Sequence, residues 1–340
     1  AIVQSITRKL RSDMERLSAI IERFENLSRN YSSDDVVEKF RRTGKENTLF
    51  VFMEGVIERL RQLNHSGTAK NYSAALGSFK RFRNNEDIQM EAIDHILMED
   101  YQAYLASLGV VPNSISFYMR ILRAVYNRAV EQELTIDRNP FRTVFTGVEK
   151  TRKRAISISD IKRIRDLDLS LKPNLEFARN LFLFLFLCRG MSFIDAAFLK
   201  KSDIQSGILT YRRHKTNQVL HIKIIKPIKE LVDRYSSNDS PYLLPIITRP
   251  HCDERRQYET ALRRVNKSLK TIAGMVKLPI PLTTYVSRHA WATIAKSKNI
   301  PVNVISDALG HDSIATTQIY LASIDTSTID RANELIIKDL

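Results

Sequence analysis

Arg189, Lys215, Arg288, His311 and Tyr320 are the residues of this chain whose types and contexts could do chemistry together. Arg189 follows the apolar run Leu181 to Cys188, Lys215 sits in a polar turn, and Arg288 stands beside His289 in a helical stretch. His311 comes directly after Gly310, and Tyr320 follows nine residues later. Transfer at a phosphodiester needs a nucleophile, cationic donors for the oxygens of a pentacoordinate transition state, and an acid for the leaving oxygen. Arginine offers paired donors to non-bridging oxygens, a lysine can protonate a departing 5′ oxygen, and a tyrosine phenol can form a phosphotyrosine link. Taken singly, each residue also has an ordinary role. A helical tyrosine packs, an arginine after a buried helix faces the helix dipole, a histidine after glycine marks a helix boundary, and a turn lysine is solvated. No carboxylate pair with a metal signature and no GxxxxGK[ST] loop is present, so two-metal hydrolysis and ATP hydrolysis lack support.

These residues need elements to hold them. Leu175 to Cys188 predicts a buried helix, preceded by a helix through "DIKRIRDL" that Ser157 or Ser159 can cap. In "GILTYRRHKTNQVLHIKI" the period changes to two, which predicts a β-hairpin with Lys215 in its turn. Residues 254–276, 283–298, 301–309, 313–321 and 326–338 read as helices. In the first half, helices are expected at Leu49 to Leu63, Thr68 to Phe82, Met98 to Leu108 and Asn113 to Gln132, after an amphipathic helix over residues 4–26 with Ile6, Leu10, Met14, Leu17, Ile20 and Ile21 on one stripe. The segment 137–156 contains Pro140, Gly147 and the Lys-Thr-Arg-Lys-Arg cluster and has no clear period, so it reads as a linker.

A chain of 340 residues exceeds what one core commonly supports, which predicts two domains. The formal charge of +15, spread along the whole chain, implies a polyanionic partner, with nucleic acid as the default. Cys188 and Cys252 are the two cysteines and form no CxxC pair, which fits a reducing cytosol and suggests neither a disulfide framework nor a zinc site. No apolar run is long enough to span a bilayer, so no membrane partner is expected.

Four stretches, "CRGMSFIDAAFL", "YRRHKTNQVLHIKI", "YVSRHAWATIA" and "LGHDSIATTQIY", together resemble the tyrosine recombinase (phage integrase) family. The family pattern is an Arg at a helix end with an acidic residue some six positions on, a Lys in a β-hairpin, His-x-x-Arg-His, then Leu-Gly-His with the nucleophilic Tyr nine residues later. The resemblance runs from about residue 48 to the end, and the wording is nearest to integrases and DNA invertases of gut anaerobes. It implies that Arg189 and Arg288 clamp the scissile phosphate and Lys215 is the general acid. His311 would hold a non-bridging oxygen or help the tyrosine, and Tyr320 would attack to leave a 3′-phosphotyrosine. Asp195 matches the acidic residue that supports the first Arg. One position departs from the pattern: Tyr285 stands where the family has His, so the general base is left to His289 or His311, since a phenol with a pKa of about 10 is no base near neutrality.

The resulting expectation is a mainly α protein: an N-terminal helical arm (1–45), a helical SAM-like core-binding domain (46–138), a basic linker (139–156) and a mostly helical catalytic domain with a small antiparallel sheet and a C-terminal helix (157–340), closing on DNA as a C-shaped clamp. Lys70, Lys80, Arg81, Arg120, Arg123, Arg152, Lys153, Arg154, Arg212 and Arg213 are expected along the duplex. The implied activity is site-specific strand exchange through a Holliday junction, with no metal or cofactor, by a homotetramer on two inverted-repeat sites. Accessory DNA-bending proteins and a bacterial, nucleoid-associated cytoplasmic location complete the expectation. The alternatives are a type IB topoisomerase-like relaxase, a non-catalytic DNA-binding protein that keeps the fold, and a helix-turn-helix repressor, which leaves the hairpin and all four stretches unexplained.

Overall fold

A computed structural model describes residues 2–26, 30–37, 40, 47–149, 155–235 and 240–321. The chain divides into two compact units between residues 151 and 152. The first contains α1 (Ile2–Asn26), α2 (Leu49–Gln62), α3 (Ser66–Phe82), α4 (His95–Ser107) and α5 (Pro112–Glu131). In α2, the side chains Leu49, Phe50, Met53, Ile57 and Leu60 recur at helical spacing and are buried. They meet Phe79 of α3, Met98 and Tyr101 of α4, and Met119, Leu122 and Val125 of α5 in one apolar core. Asp94 caps α4 by accepting from the Leu97 amide at 2.9 Å, and Pro112 opens α5, where its missing N–H costs nothing. The apolar stripe of α1 remains largely open, with Val3, Ile6, Leu10 and Met14 exposed.

Most of the segment expected as a linker belongs to this first unit. Phe141 and Val144 are buried in its core. Ser116 Oγ donates to the Gly147 carbonyl, the Asn113 amide group donates to the Glu149 carbonyl at 2.9 Å, and the Phe145 amide donates to Gln102 at 2.7 Å. Side-chain bonds to an irregular backbone leave no periodic trace, which is why the stretch read as unstructured. Residues 150–154, with Arg152, Lys153 and Arg154, lie outside the described residues.

The second unit holds α6 (Ile158–Arg165), α7 (Pro173–Leu187), α8 (Phe193–Ala197), β1 (Ile204–Gln205), β2 (Ile208–Arg212), β3 (Val219–Lys223), α9 (Lys226–Tyr235), α10 (Glu254–Met275), α11 (Thr284–Ser297), α12 (Val302–Leu309) and α13 (Ile314–Leu321). Ser157 and Asp160 close a capping box at the start of α6. Helix α7 is buried through Ala178, Leu181, Phe182, Phe184 and Leu185 and is the centre on which α6, α9, α10 and α11 pack. The three strands form one antiparallel sheet in the order β1, β2, β3, with Thr210 opposite His221 and Arg212 opposite Val219. Three elements of this unit, α8, β1 and α9, escaped the sequence reading; α8 and β1 are too short to span two periods of their own pattern. The helix expected at 326–338 lies outside the described residues.

Candidate active site

The site is built where α7 ends. Arg189 and Gly190 both take left-handed backbone angles, with φ of 59° and 69°, and this double turn reverses the chain after Cys188. A Cβ on Gly190 would lie 2.8 Å from the Arg288 Cα, so only glycine lets the turn rest on α11. Arg288 Nη1 donates to the Gly190 carbonyl at 2.9 Å. The two arginine positions, far apart in sequence, are thereby brought against each other.

Arg288 is 3% exposed. Its Nη2 donates to the Leu309 carbonyl at 2.6 Å and lies 3.0 Å from His311 Nε2. Burial and the nearby charge of Arg213 bring its pKa down to about 10, so it stays cationic at neutral pH. Because guanidinium only donates, His311 Nε2 must be the acceptor; the ring proton then sits on Nδ1 and is donated to Thr317 Oγ1 at 2.7 Å. Burial first, then the charges of Arg288, Arg213 and Lys215, depress the His311 pKa to about 4. The imidazole is therefore neutral, in a defined tautomer.

Gly310 explains why a histidine can stand at this boundary. It ends α12 in the left-handed conformation at φ 64°, with its amide bonded to the Asp307 carbonyl and that of His311 to the Ser306 carbonyl. The next helix, α13, starts at Ile314 and carries Thr317 and, one turn on, Tyr320. Its end is fixed on its own unit: Leu321 is buried with Ala292, Ala295, Ile305 and Leu309, and Lys296 Nζ donates to the Leu321 carbonyl at 2.6 Å. The Tyr320 side chain lies outside the described residues.

The β2–β3 hairpin brings in Lys215. Its turn closes through the Arg213 amide on the Gln218 carbonyl at 2.8 Å and the Asn217 amide on the Arg213 carbonyl at 2.8 Å, with Lys215 exposed at the tip. Asp195, 2% exposed on α8, accepts from the His214 amide at 2.9 Å and lies 3.1 Å from the His214 ring; Ser192 Oγ donates to it at 2.6 Å. Burial alone would raise its pKa, but the bonds from His214 and Ser192 outweigh it and hold the carboxyl below its usual range. The resemblance gives Asp195 as a support for Arg189; among the described residues its bonds run to Ser192 and to His214, the residue before Lys215. Arg213 requires a correction. Expected on the duplex, it is 6% exposed, and its guanidinium donates to the Gly310 carbonyl.

Tyr285 lies one turn before Arg288, half-exposed, its ring set edge to face against His289 with centroids 4.7 Å apart. Burial raises its phenol pKa while Arg288 and Arg213 pull the other way, and the net shift is upward. Tyr285 is thus no base, and can serve as a hydroxyl donor.

Residues 48–149 match the phage integrase SAM-like domain and residues 159–326 match the phage integrase family. The chain belongs to the phage integrase family of tyrosine recombinases. Among its relatives, tyrosine recombinase XerA of Pyrococcus furiosus is 27% identical over 69% of this chain and 79% of its own length. A tyrosine recombinase of Pseudothermotoga lettingae is 22% identical over 86% of this chain and 99% of its own. The fold is shared with a lambda integrase dimer bound to a COC′ core site, at TM-score 0.61 and 18% identity over 89% of this chain and 85% of that one. It is also shared with the Tn1549 transposon integrase in complex with a circular intermediate DNA, at TM-score 0.60 and 14% identity over 83% and 98%. The protein is a site-specific recombinase, an enzyme that cleaves and rejoins DNA.

Of the basic residues this recombinase was expected to lay along DNA, Lys70, Arg81, Arg120, Arg123 and Arg212 are exposed. Lys80 is engaged with Glu54 at 2.6 Å and lies over the Phe50 ring. Arg123 reaches Thr146, and Arg212 the Asn217 carbonyl. Among the described residues no group of three or more His, Cys, Asp or Glu side chains converges as a metal site, and no helix is long and apolar enough to cross a membrane. Sequence reasoning missed Thr317, His214 and Ser192 as partners of the site; nothing in their local pattern sets them apart from any surface-forming Thr, His or Ser.

Proposed function

We propose that Arg189 and Arg288 hold the non-bridging oxygens of the scissile phosphate while the Tyr320 phenolate oxygen attacks phosphorus. The P–O5′ bond breaks, the 5′ oxygen takes a proton from the Lys215 ammonium, and a 3′-phosphotyrosine remains. His311 accepts the phenol proton. Its Nδ1–H is committed to Thr317, which leaves Nε2 as the only basic nitrogen, and Arg288 releases that lone pair when its guanidinium turns to the phosphate. Tyr285 adds a hydroxyl donor at the phosphate, in the place where the family has histidine. The reverse steps, with the 5′ hydroxyl of a second duplex as nucleophile, reseal the strand without an external energy source.

The observation that carries this reading is the Arg288 guanidinium, which joins the Gly190 turn, the end of α12 and His311 at one point. Two inverted-repeat sites would be joined by four copies. A lambda integrase tetramer bound to a Holliday junction, at TM-score 0.60, supports that assembly. DNA-bending accessory proteins, and work on the chromosome in the bacterial cytoplasm, follow from the same reading. A supercoiled plasmid with two copies of the site should yield inverted or excised products. Relaxation of that plasmid without recombinants would favour a topoisomerase-like cycle instead.

A further inference from the structure

Lys215 sits at an exposed hairpin tip, yet a general acid must be held to within a fraction of an ångström of its leaving oxygen. The hairpin has a fixed attachment. Arg213, Thr216 and Gln218 flank Lys215, and all three donate to the turn after α12: Arg213 and Thr216 to the Gly310 carbonyl, the latter at 3.0 Å, and Gln218 Nε2 to the His311 carbonyl at 3.3 Å and Asp312 Oδ1 at 3.1 Å. A Cβ on Gly310 would meet Leu220 Cδ1 at 3.0 Å, Arg213 Cδ at 3.1 Å and Gln218 Oε1 at 3.3 Å, so the hairpin rests directly on this glycine. Arg213 Nε is buried and unpartnered among the described residues. A second buried cation beside Arg288 and the neutral His311 is expensive to keep, and its charge opposes protonation of both.

We infer that Arg213, Thr216 and Gln218 form a clasp that positions Lys215 as general acid and sets it relative to the segment bearing His311 and Tyr320. The clasp rests on the general-acid reading of Lys215. Its dependence is one-sided. The Gly310–His311 turn has further anchors, in the Asp307 and Ser306 carbonyls, Arg288 on the Leu309 carbonyl, and His311 on Thr317. Besides the clasp, the described side-chain attachments of the hairpin tip to the rest of the unit run through His214, which contacts Asp195 and sets its ring against Phe198. Breaking the clasp therefore releases Lys215 and leaves the arginines, His311 and Tyr320 in place.

The test compares cleavage of an ordinary suicide duplex with one bearing a 5′-bridging phosphorothiolate, in which the P–S bond breaks and sulfur leaves as a thiolate without a proton. Arg213→Ala and the milder Gln218→Ala and Thr216→Val each lose activity on the ordinary duplex, by about a hundredfold for Arg213→Ala, and return to within about threefold of the unaltered enzyme on the phosphorothiolate. Gln218→Ala and Thr216→Val leave the buried arginine in place, so they report even where Arg213→Ala fails to fold. Lys215→Ala is the reference. If it is rescued by sulfur and the clasp variants lose equally on both substrates, the clasp is wrong while Lys215 keeps its role. If Lys215→Ala itself is not rescued, the general-acid reading falls and the clasp with it.

Discussion

The two units bury different things. The first packs rings: Phe79 meets Tyr101 edge to face at 4.9 Å, with Phe50 and Phe82 around it, and its buried polar side chains, Asn47, Ser78, Ser116 and Thr135, are all neutral. The second buries Asp195, Arg213, Arg288 and His311 within one neighbourhood. Burying charge costs stability unless each group is partnered, whereas an aromatic core gains from every ring removed from water. The first unit is thus assembled for packing. The second tolerates three buried cationic or basic groups, Arg213, Arg288 and His311, close together.

That contrast predicts which property each substitution changes. Phe79→Ala should cost about 3–5 kcal/mol in the denaturation of the first unit and leave the rate of the chemical step in bound complex unchanged; a slowed chemical step would blur the division. Arg288→Ala should reduce covalent adduct formation by about 10²–10³-fold, the loss usual for a preorganised donor, while the two carbonyls it serves cost only about 1–2 kcal/mol of stability. Calorimetry beside single-turnover cleavage separates the two numbers.

His311 gives a smaller effect with a fixed sign. Its folded pKa of about 4 lies below the unfolded value of 6.5, so above pH 6.5 neither state binds the proton and nothing is lost. Between 6.5 and 4 the unfolded chain binds it first, and stability falls by roughly 3 kcal/mol in all. His311→Gln should remove that part of the pH dependence in urea melts. A His311 nitrogen spectrum that titrates near 6.5 in the free protein would contradict the depressed pKa. The smallest effect is expected at the exposed Arg81 of the first unit: Arg81→Ala should lower the salt slope of DNA binding by about 1 and weaken all sequences alike.

The helices of both units were legible because their apolar residues recur at helical spacing, as Leu49, Met53, Ile57 and Leu60 do, and the hairpin because Leu220, Ile222 and Ile224 alternate with Val219, His221 and Lys223. The family was legible because four short stretches match the tyrosine recombinase pattern in order. What stayed hidden is contact across sequence. Arg213 reads as one of three basic residues in a turn, and only the approach of Gly310, 97 positions away, makes it a buried strut. Thr317 gains its meaning from a single bond to His311. The segment 139–149 looked like a linker because side chains of α4 and α5, not a backbone ladder, hold it.

The central claim is that Tyr320 is the nucleophile of a site centred on Arg288. Incubation with a nicked suicide duplex carrying the enzyme's own site, followed by denaturation and peptide mapping, tests it directly. The account predicts an SDS-resistant adduct whose 3′-phosphate is on the peptide containing Tyr320, and no adduct, with binding retained, from Tyr320→Phe. An adduct that persists in Tyr320→Phe, or one that maps to another tyrosine such as Tyr285, would contradict it.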